Sequence, residues 1–159
     1  MEPSTWFILI LVPIVIAVLD HASRRVSPKQ WWMKKESMPK DLRSSQLYMS
    51  EKDIEIRMPV FLKGRVDQVF LTKEDLLVPV DTKLTYPRCV SHAEKIQLSG
   101  YRAILTNTEK YSVANYGYIR FVNRDTGKVH YRKVSLLPPE AIYRLVSEED
   151  SNSEVSVYQ

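Results

Sequence analysis

An apolar run near the N-terminus limits what this chain can fold into. Residues 3–19 carry no charge over 17 positions, and the stretch from Trp6 to Leu19 is apolar throughout. As an α-helix the run would be about 26 Å long, slightly short of a hydrocarbon core of about 30 Å, so it would span a bilayer with local thinning or snorkelling flanks. We therefore expect one transmembrane helix within residues 1–22, and a buried core helix is the alternative.

The charges on either side of this run predict its orientation. Glu2 precedes it, without the Lys or Arg that begins a cleavable signal peptide, so we expect the segment to be retained. Six Lys and Arg and a single acid follow within residues 21–40. Because positive charge stays on the cytoplasmic side, the prediction is a single-pass membrane protein with its N-terminus outside and its soluble domain in the cytoplasm. Residues 23–40 would be a basic juxtamembrane linker that faces lipid headgroups, with contact to DNA as the alternative.

The composition of the 159-residue chain excludes several classes of protein. Its single cysteine, Cys89, cannot form an internal disulfide or a four-thiolate metal centre. Its four glycines form neither of the phosphate-binding patterns GxxxxGK[ST] and GxGxxG. The length favours one compact domain, here residues 41–146, and the acidic, Ser-rich stretch 147–159 is predicted to be disordered. The positive balance before that stretch favours a polyanionic partner, although general solubility explains it equally well.

The hydrophobic pattern between these ends predicts an α/β layer fold. Three strands, at 55–62, 65–71 and 76–83, are expected after a short helix at 41–50, and the first two would join at a turn of Lys63 and Gly64. A helix at 92–106, a hairpin of strands 112–123 and 128–136 about residues 124–127, and a helix at 140–146 complete the prediction.

Five polar residues in this pattern form a candidate site: Asp67 in GRVDQVF, Asp81 and Lys83 in LLVPVDTK, and Gln97 and Tyr101 in IQLSGY. Strand side chains alternate between faces, so Asp81 and Lys83 point the same way. Gln97 and Tyr101 are four apart and share one helix face. Two carboxylates with open positions suit Mg²⁺, and the lysine would lie near the phosphate or orient water. Alternatively, these residues are a solvated ion pair and the polar edge of an amphipathic helix.

The order of these motifs resembles the PD-(D/E)XK nuclease superfamily, in the RecB-like branch that includes CRISPR-associated exonucleases. The resemblance covers residues 47–136. It implies a restriction-endonuclease-like fold, with a mixed central sheet flanked by helices, in which Asp67, Asp81 and the Thr82 carbonyl bind Mg²⁺ or Mn²⁺. Catalysis would use these two acids with Lys83, Gln97 and Tyr101. Glu51 would fill the family's additional acidic position, for which Glu36 and His21 are the other candidates.

The resemblance implies a membrane-anchored, metal-dependent nuclease that hydrolyses phosphodiester bonds of nucleic acid, with DNA as the expected substrate. No iron-sulfur cluster is expected, because Cys89 stands alone where many CRISPR-associated relatives have four cysteines. The alternative is a catalytically inactive, membrane-anchored binding or scaffold protein that keeps a nuclease-like fold. The sequence predicts neither protein partners nor the choice between endonuclease and exonuclease action.

Overall fold

A six-stranded sheet with helices packed against it forms the described part of the chain. The computed structural model describes residues 37–155, with side chains for residues 37–149. Its strands are β1 (Gln46–Ile56), β2 (Leu62–Leu71), β3 (Leu76–Lys83), β4 (Ser112–Val113), β5 (Tyr116–Val122) and β6 (Val129–Ser135). Its helices are α1 (Lys40–Arg43), α2 (His92–Thr108) and α3 (Pro139–Val155).

The strands run in the order β1-β2-β3-β5-β6, and the short β4 also pairs with β3. Neighbouring strands are antiparallel except that β3 pairs in parallel with β4 and β5. Parallel strands need a crossover connection, which α2 provides between β3 and β5. The predicted α/β class with a mixed sheet is confirmed at this level, and β3 has the predicted bounds. Because β3 is central, its segment LLVPV is almost wholly buried.

The two faces of the sheet carry different helices. On one face α2 packs Leu98, Ile104 and Leu105 into the main apolar cluster of the sheet. On strand β3, Asp81 faces α2, so its neighbour Val80 faces the other way. Tyr118, the register partner of Val80, donates a 2.7 Å hydrogen bond to Asp41 of α1. Helix α1 therefore covers the face opposite α2.

The predicted helix over residues 41–50 is wrong for most of its length. Helix α1 ends at Arg43, and residues 46–50 belong to β1. The hydroxyl of Ser45 donates a 2.6 Å hydrogen bond to the carbonyl of Asp41, a local bond that competes with continuation of the helix. β1 pairs with β2 as far as Gln46 and Leu71, and this pairing gives residues 46–50 the extended conformation of a strand.

The predicted turn at Lys63 and Gly64 is also wrong. Both residues lie within β2, where they pair with Glu55 and Ile54, and the connection between β1 and β2 is formed by residues 57–61. Glycine is needed at position 64 for another reason: a Cβ there would lie 2.8 Å from Cε1 of Tyr101. The glycine permits close packing of α2 on the strand, and its presence does not indicate a turn.

The C-terminal helix is longer than predicted, whereas the N-terminal predictions fall outside the described residues. Helix α3 continues to Val155, so it extends beyond the predicted end at residue 146 into the stretch 147–159, for which the sequence predicted disorder. No proline or glycine follows Pro139 to end the helix. The predicted transmembrane segment and residues 23–36 of the predicted linker lie outside residues 37–155. Within that range, no helix is long and apolar enough to cross a membrane.

Candidate functional site

The site is built around Asp81, whose side chain is held between the sheet and α2. Asp81 is 3% exposed although it lies two residues from the end of β3. Its Oδ1 accepts a 3.1 Å hydrogen bond from Nε2 of Gln97, and its Oδ2 lies 2.7 Å from Nζ of Lys83. Apart from this ion pair, Oδ2 accepts no hydrogen bond within the described part of the chain. A buried carboxylate oxygen is thus left with unused acceptor capacity.

The environment changes the pKa of both members of this ion pair. Burial raises the pKa of Asp81, and the hydrogen bond and charge of Lys83 lower it only in part. The negative charges of Asp67 and Glu94 raise the pKa of Asp81 further. Burial alone would lower the pKa of Lys83, but the hydrogen bond and charge of Asp81 outweigh that effect and raise it. Lys83 is therefore held as a cation, and Asp81 binds a proton more readily than an exposed aspartate does.

Asp67 approaches the same strand end from β2. Gln68 of β2 pairs with Val80 of β3. Asp67 is the residue before Gln68 and Asp81 is the residue after Val80, so in this antiparallel pair the two acids lie at adjoining positions just beyond the last ladder pair. Oδ2 of Asp67 accepts a 2.6 Å hydrogen bond from the backbone N–H of Thr82. The sheet register therefore brings the two predicted acids to adjoining positions, and Asp67 also binds the backbone between Asp81 and Lys83.

Gln97 and Tyr101 connect this strand end to α2. The Nε2 group of Gln97 donates to the Tyr101 hydroxyl at 2.7 Å as well as to Asp81, and its Oε1 accepts from Nζ of Lys83 at 3.2 Å. The Tyr101 hydroxyl donates to the backbone carbonyl of Arg65 on β2 at 2.8 Å. Burial raises the pKa of Tyr101. Gln97 is thus the residue through which the ion pair, the helix and β2 are joined.

The structure does not bring Glu51 into this network. Its side chain is exposed and forms a 3.3 Å ion pair with Arg65, and its backbone has a left-handed φ of 50°. Glu36, the other candidate for the same role, lies outside the described residues. Thr82 contributes its backbone, since its side chain lies on the face of β3 away from Asp81. The network therefore comprises Asp67, Asp81, Lys83, Gln97 and Tyr101, with the Thr82 main chain.

The sequence-based prediction missed Glu94, which fixes the start of α2. Glu94 is 5% exposed and forms a capping box with Ser91, whose backbone N–H it accepts at 2.7 Å. It also pairs with Arg88 at 2.7 Å. Burial alone would raise the pKa of Glu94, but its bonds to Ser91 and Arg88 outweigh burial and lower it. The pattern S-x-x-E before an apolar helix, SHAE in this chain, was the available signal.

The donor set fits a hard divalent cation rather than a soft or structural metal. Among the described residues, no three His, Cys, Asp or Glu side chains form a group that could hold a metal ion. Asp67, Asp81 and the Thr82 carbonyl could hold Mg²⁺ or Mn²⁺, because Mg²⁺ commonly takes one or two carboxylates and completes its shell with water and substrate phosphate. The unused acceptor capacity of Asp81 Oδ2 is consistent with such a ligand.

Comparison with known proteins gives little further information. No family model and no curated protein matches the sequence. Solved structures that match include the crystal structure of SSO0001, at 16% sequence identity and a TM-score of 0.42. The alignment covers 86% of this chain and 58% of that one. A likeness this distant identifies neither a family nor a function.

Proposed function

We propose that this protein is a metal-dependent nuclease that hydrolyses phosphodiester bonds of nucleic acid, with DNA as the expected substrate. The observation that carries the proposal is the buried Asp81, which has an ammonium group 2.7 Å from Oδ2 and lies at a register position adjoining Asp67. Two carboxylates at one strand end beside a retained cation suit chemistry on a phosphate. We also propose that the sheet and its crossover helix form a restriction-endonuclease-like fold.

Each residue of the network would have a distinct part in hydrolysis. Asp67, Asp81 and the Thr82 carbonyl would hold Mg²⁺ or Mn²⁺. When bound, such a cation neutralises negative charge on the phosphate and lowers the pKa of a water molecule that it binds. Lys83, held as a cation, would lie against the phosphate and stabilise the charge that develops in the transition state. Gln97 and Tyr101 would fix Lys83 and Asp81 in position through their hydrogen bonds to the ion pair and to β2.

The location of the activity is a second part of the proposal. The apolar run at residues 3–19 and the basic residues after it support a tether that holds the domain at the cytoplasmic side of a membrane. The substrate would then be nucleic acid that comes close to the membrane.

A catalytically inactive binding or scaffold protein is the second candidate, and one observation favours it. Lys83 and Gln97 already contact both carboxylate oxygens of Asp81, so a cation would have to displace or share Lys83. The Asp81–Lys83 contact would then be a structural ion pair at the end of β3. The two candidates differ in whether the protein binds a divalent cation through Asp67 and Asp81.

Nuclease assays on the full-length protein in mild detergent test the proposal. Single-stranded and duplex DNA and RNA would be incubated with Mn²⁺ or Mg²⁺, and with EDTA. We expect metal-dependent cleavage that falls by about 10²-fold or more in Asp81→Asn and Lys83→Ala. Asp53→Asn and Lys52→Ala are the matched controls, since both residues are exposed on β1. Cleavage that survives in Asp81→Asn would exclude this site.

A metal titration separates the two candidates independently of activity. Binding to the folded state raises the melting temperature as cation concentration rises above Kd. We expect Mn²⁺ to stabilise the native protein and Asp53→Asn equally, and to have no effect on Asp67→Asn or Asp81→Asn. If the protein is a scaffold, Mn²⁺ should change the melting temperature of the native protein and of all three variants by the same small amount.

A further inference from the structure

A cavity of about 340 Å³ adjoins the network on the side of α2. It is lined by Leu62, Lys63 and Gly64 of β2 and by Gln97, Gly100, Tyr101 and Ile104 of α2. The helical residues follow the spacing i, i+3, i+4 and i+7, so they form one continuous stripe on the helix. From Gln97 to Ile104 the stripe extends about 10 Å. The cavity therefore begins at two residues of the candidate site and leads away from Asp81 along α2.

The glycines of this cavity have different explanations. At Gly64 a Cβ would lie 2.8 Å from Tyr101, so the packing of the fold requires glycine there. At Gly100 a Cβ would meet no heavy atom within 4 Å. Glycine in a helix interior destabilises the helix relative to alanine, and packing gives no reason for it at this position. A side chain at position 100 would instead occupy space that now belongs to the cavity.

The lining determines what kind of group fits. Leu62 and Ile104 supply apolar walls, Gly100 leaves a flat backbone surface, and the amide of Gln97 and hydroxyl of Tyr101 lie at the end nearest Asp81. At about 340 Å³ the cavity is at the small end of ligand pockets, which span about 300–1,000 Å³. A flat ring system with one polar edge matches this lining. A base that enters a cavity between α2 and β2 has left the stack of a duplex and is unpaired.

We infer that this cavity is a subsite for one unpaired base of the substrate strand, next to the phosphate bound at Asp81 and Lys83. The inference rests on the proposed function, because continuity with the site makes a nucleotide the expected occupant. The apolar walls of Leu62 and Ile104 can contact the flat face of any of the four bases, because each base has the same kind of planar ring. The subsite would thus select for an unpaired strand at this position without selecting a sequence.

The decisive variant fills the cavity without disturbing the fold. Gly100→Leu adds a side chain whose Cβ would meet no heavy atom within 4 Å other than those of its chain neighbours and its own helix backbone. The substitution also replaces a poor helix former with a good one, so the melting temperature of the variant should not fall. Thr106→Leu is the control, because Thr106 is exposed on the same helix and outside the cavity lining. Two probes would be used with the full-length protein: a thymidine hexanucleotide, and a hexamer with the same backbone in which every residue is abasic.

For the native protein and Thr106→Leu, we expect cleavage of the thymidine hexamer to be faster than cleavage of the abasic hexamer. Gly100→Leu should slow cleavage of the thymidine hexamer by about tenfold or more and change cleavage of the abasic hexamer by less than about twofold. Equal loss on both probes would mean that the cavity holds the backbone, and no loss on either would mean that it holds no part of the strand. Either result would overturn the subsite.

The subsite and the nuclease activity can fail separately. If the native protein cleaves neither probe, the proposed function fails, and the same comparison is made by fluorescence anisotropy of labelled hexamers in EDTA. A tighter Kd for the thymidine hexamer that Gly100→Leu weakens by about tenfold would uphold a base subsite in a non-catalytic protein. Equal Kd values for the two hexamers, or no binding of either, would overturn it.

Discussion

The Asp67 carboxylate accepts a 2.6 Å hydrogen bond from the backbone N–H of Thr82, the residue between Asp81 and Lys83. This bond joins β2 to β3 beyond their last ladder pair, Gln68 with Val80: Asp67 is one residue past Gln68 and Thr82 is two residues past Val80. It fixes the main chain that carries both members of the buried ion pair. Asp67 therefore has a structural task in addition to any role as a metal ligand, and its substitutions should separate the two.

Asp67→Asn should retain this bond, since an amide oxygen can accept it, whereas Asp67→Ala should lose it. We expect Asp67→Ala to lower the free energy of unfolding by about 1–2 kcal/mol, and Asp67→Asn to lower it by much less. Urea unfolding in EDTA measures the difference. Asp53→Ala, at an exposed carboxylate on β1, should change stability by less than about 0.5 kcal/mol. Equal losses in the Asn and Ala variants would show that this hydrogen bond is not the source of the stabilisation.

Lys83→Met should leave the buried Asp81 carboxylate without its cation. The folded-state pKa of Asp81 already lies above its ordinary value, so the stability that it contributes is complete below about pH 3.9 and is lost as pH rises through the folded pKa. Removing Lys83 raises that pKa further. We therefore expect Lys83→Met to cost about 2–4 kcal/mol at pH 7 and much less at pH 4.

Two further variants check that this cost comes from the ion pair. Lys83→Met combined with Asp81→Asn should recover most of the stability at pH 7, because no charge is then buried alone. Lys52→Met, at an exposed lysine, should show no such pH dependence. Urea unfolding at both pH values measures all four proteins. A cost for Lys83→Met that is the same at pH 4 and pH 7 would contradict this account.

Local periodicity predicted which of the candidate side chains share a face of β3 or of α2. Alternation along β3 placed Asp81 and Lys83 on one face, and the i, i+4 spacing placed Gln97 and Tyr101 together on α2. The structure joins these four through Gln97. Asp67 required more than periodicity, because its position depends on the register between β2 and β3.

The wrong predictions concern residues whose role depends on distant contacts. Glycine is typical of turns, but Gly64 packs against the ring of Tyr101, which is 37 positions away in the sequence. Residues 46–50 carry a weak helix pattern that pairing with β2 overrides. Local propensity contains no information on either contact, because each depends on residues that are distant in the sequence. Glu94 was different, since its capping box is a local signal that the sequence already contained.

Gly64→Ala and Gly100→Ala should have opposite effects on stability. At position 64 the new methyl group would meet the ring of Tyr101, which cannot move freely because its hydroxyl bonds to Arg65 and Gln97. We expect a loss of about 1–3 kcal/mol. At position 100 the methyl group meets nothing, and the gain in helix propensity should be about 0.5–1 kcal/mol. Thermal unfolding of the two variants side by side measures this contrast, and a stabilised Gly64→Ala would contradict the observed packing.

Glu94→Gln should lower stability at neutral pH and have little effect in acid. The pKa of Glu94 is lowered in the folded state, so the stability that it contributes is present above its unfolded value of about 4.3 and is lost as pH falls through the folded pKa. Glutamine can still reach the backbone of Ser91 but cannot pair with Arg88, whose side chain is 48% exposed and partly screened by water. We therefore expect a loss of about 1 kcal/mol at pH 7 that has largely disappeared at pH 3. Urea unfolding across this range measures it, with Glu74→Gln, at an exposed glutamate, as the control. A loss that persists at pH 3 would mean that Glu94 acts through its shape and hydrogen bonds and not through its charge.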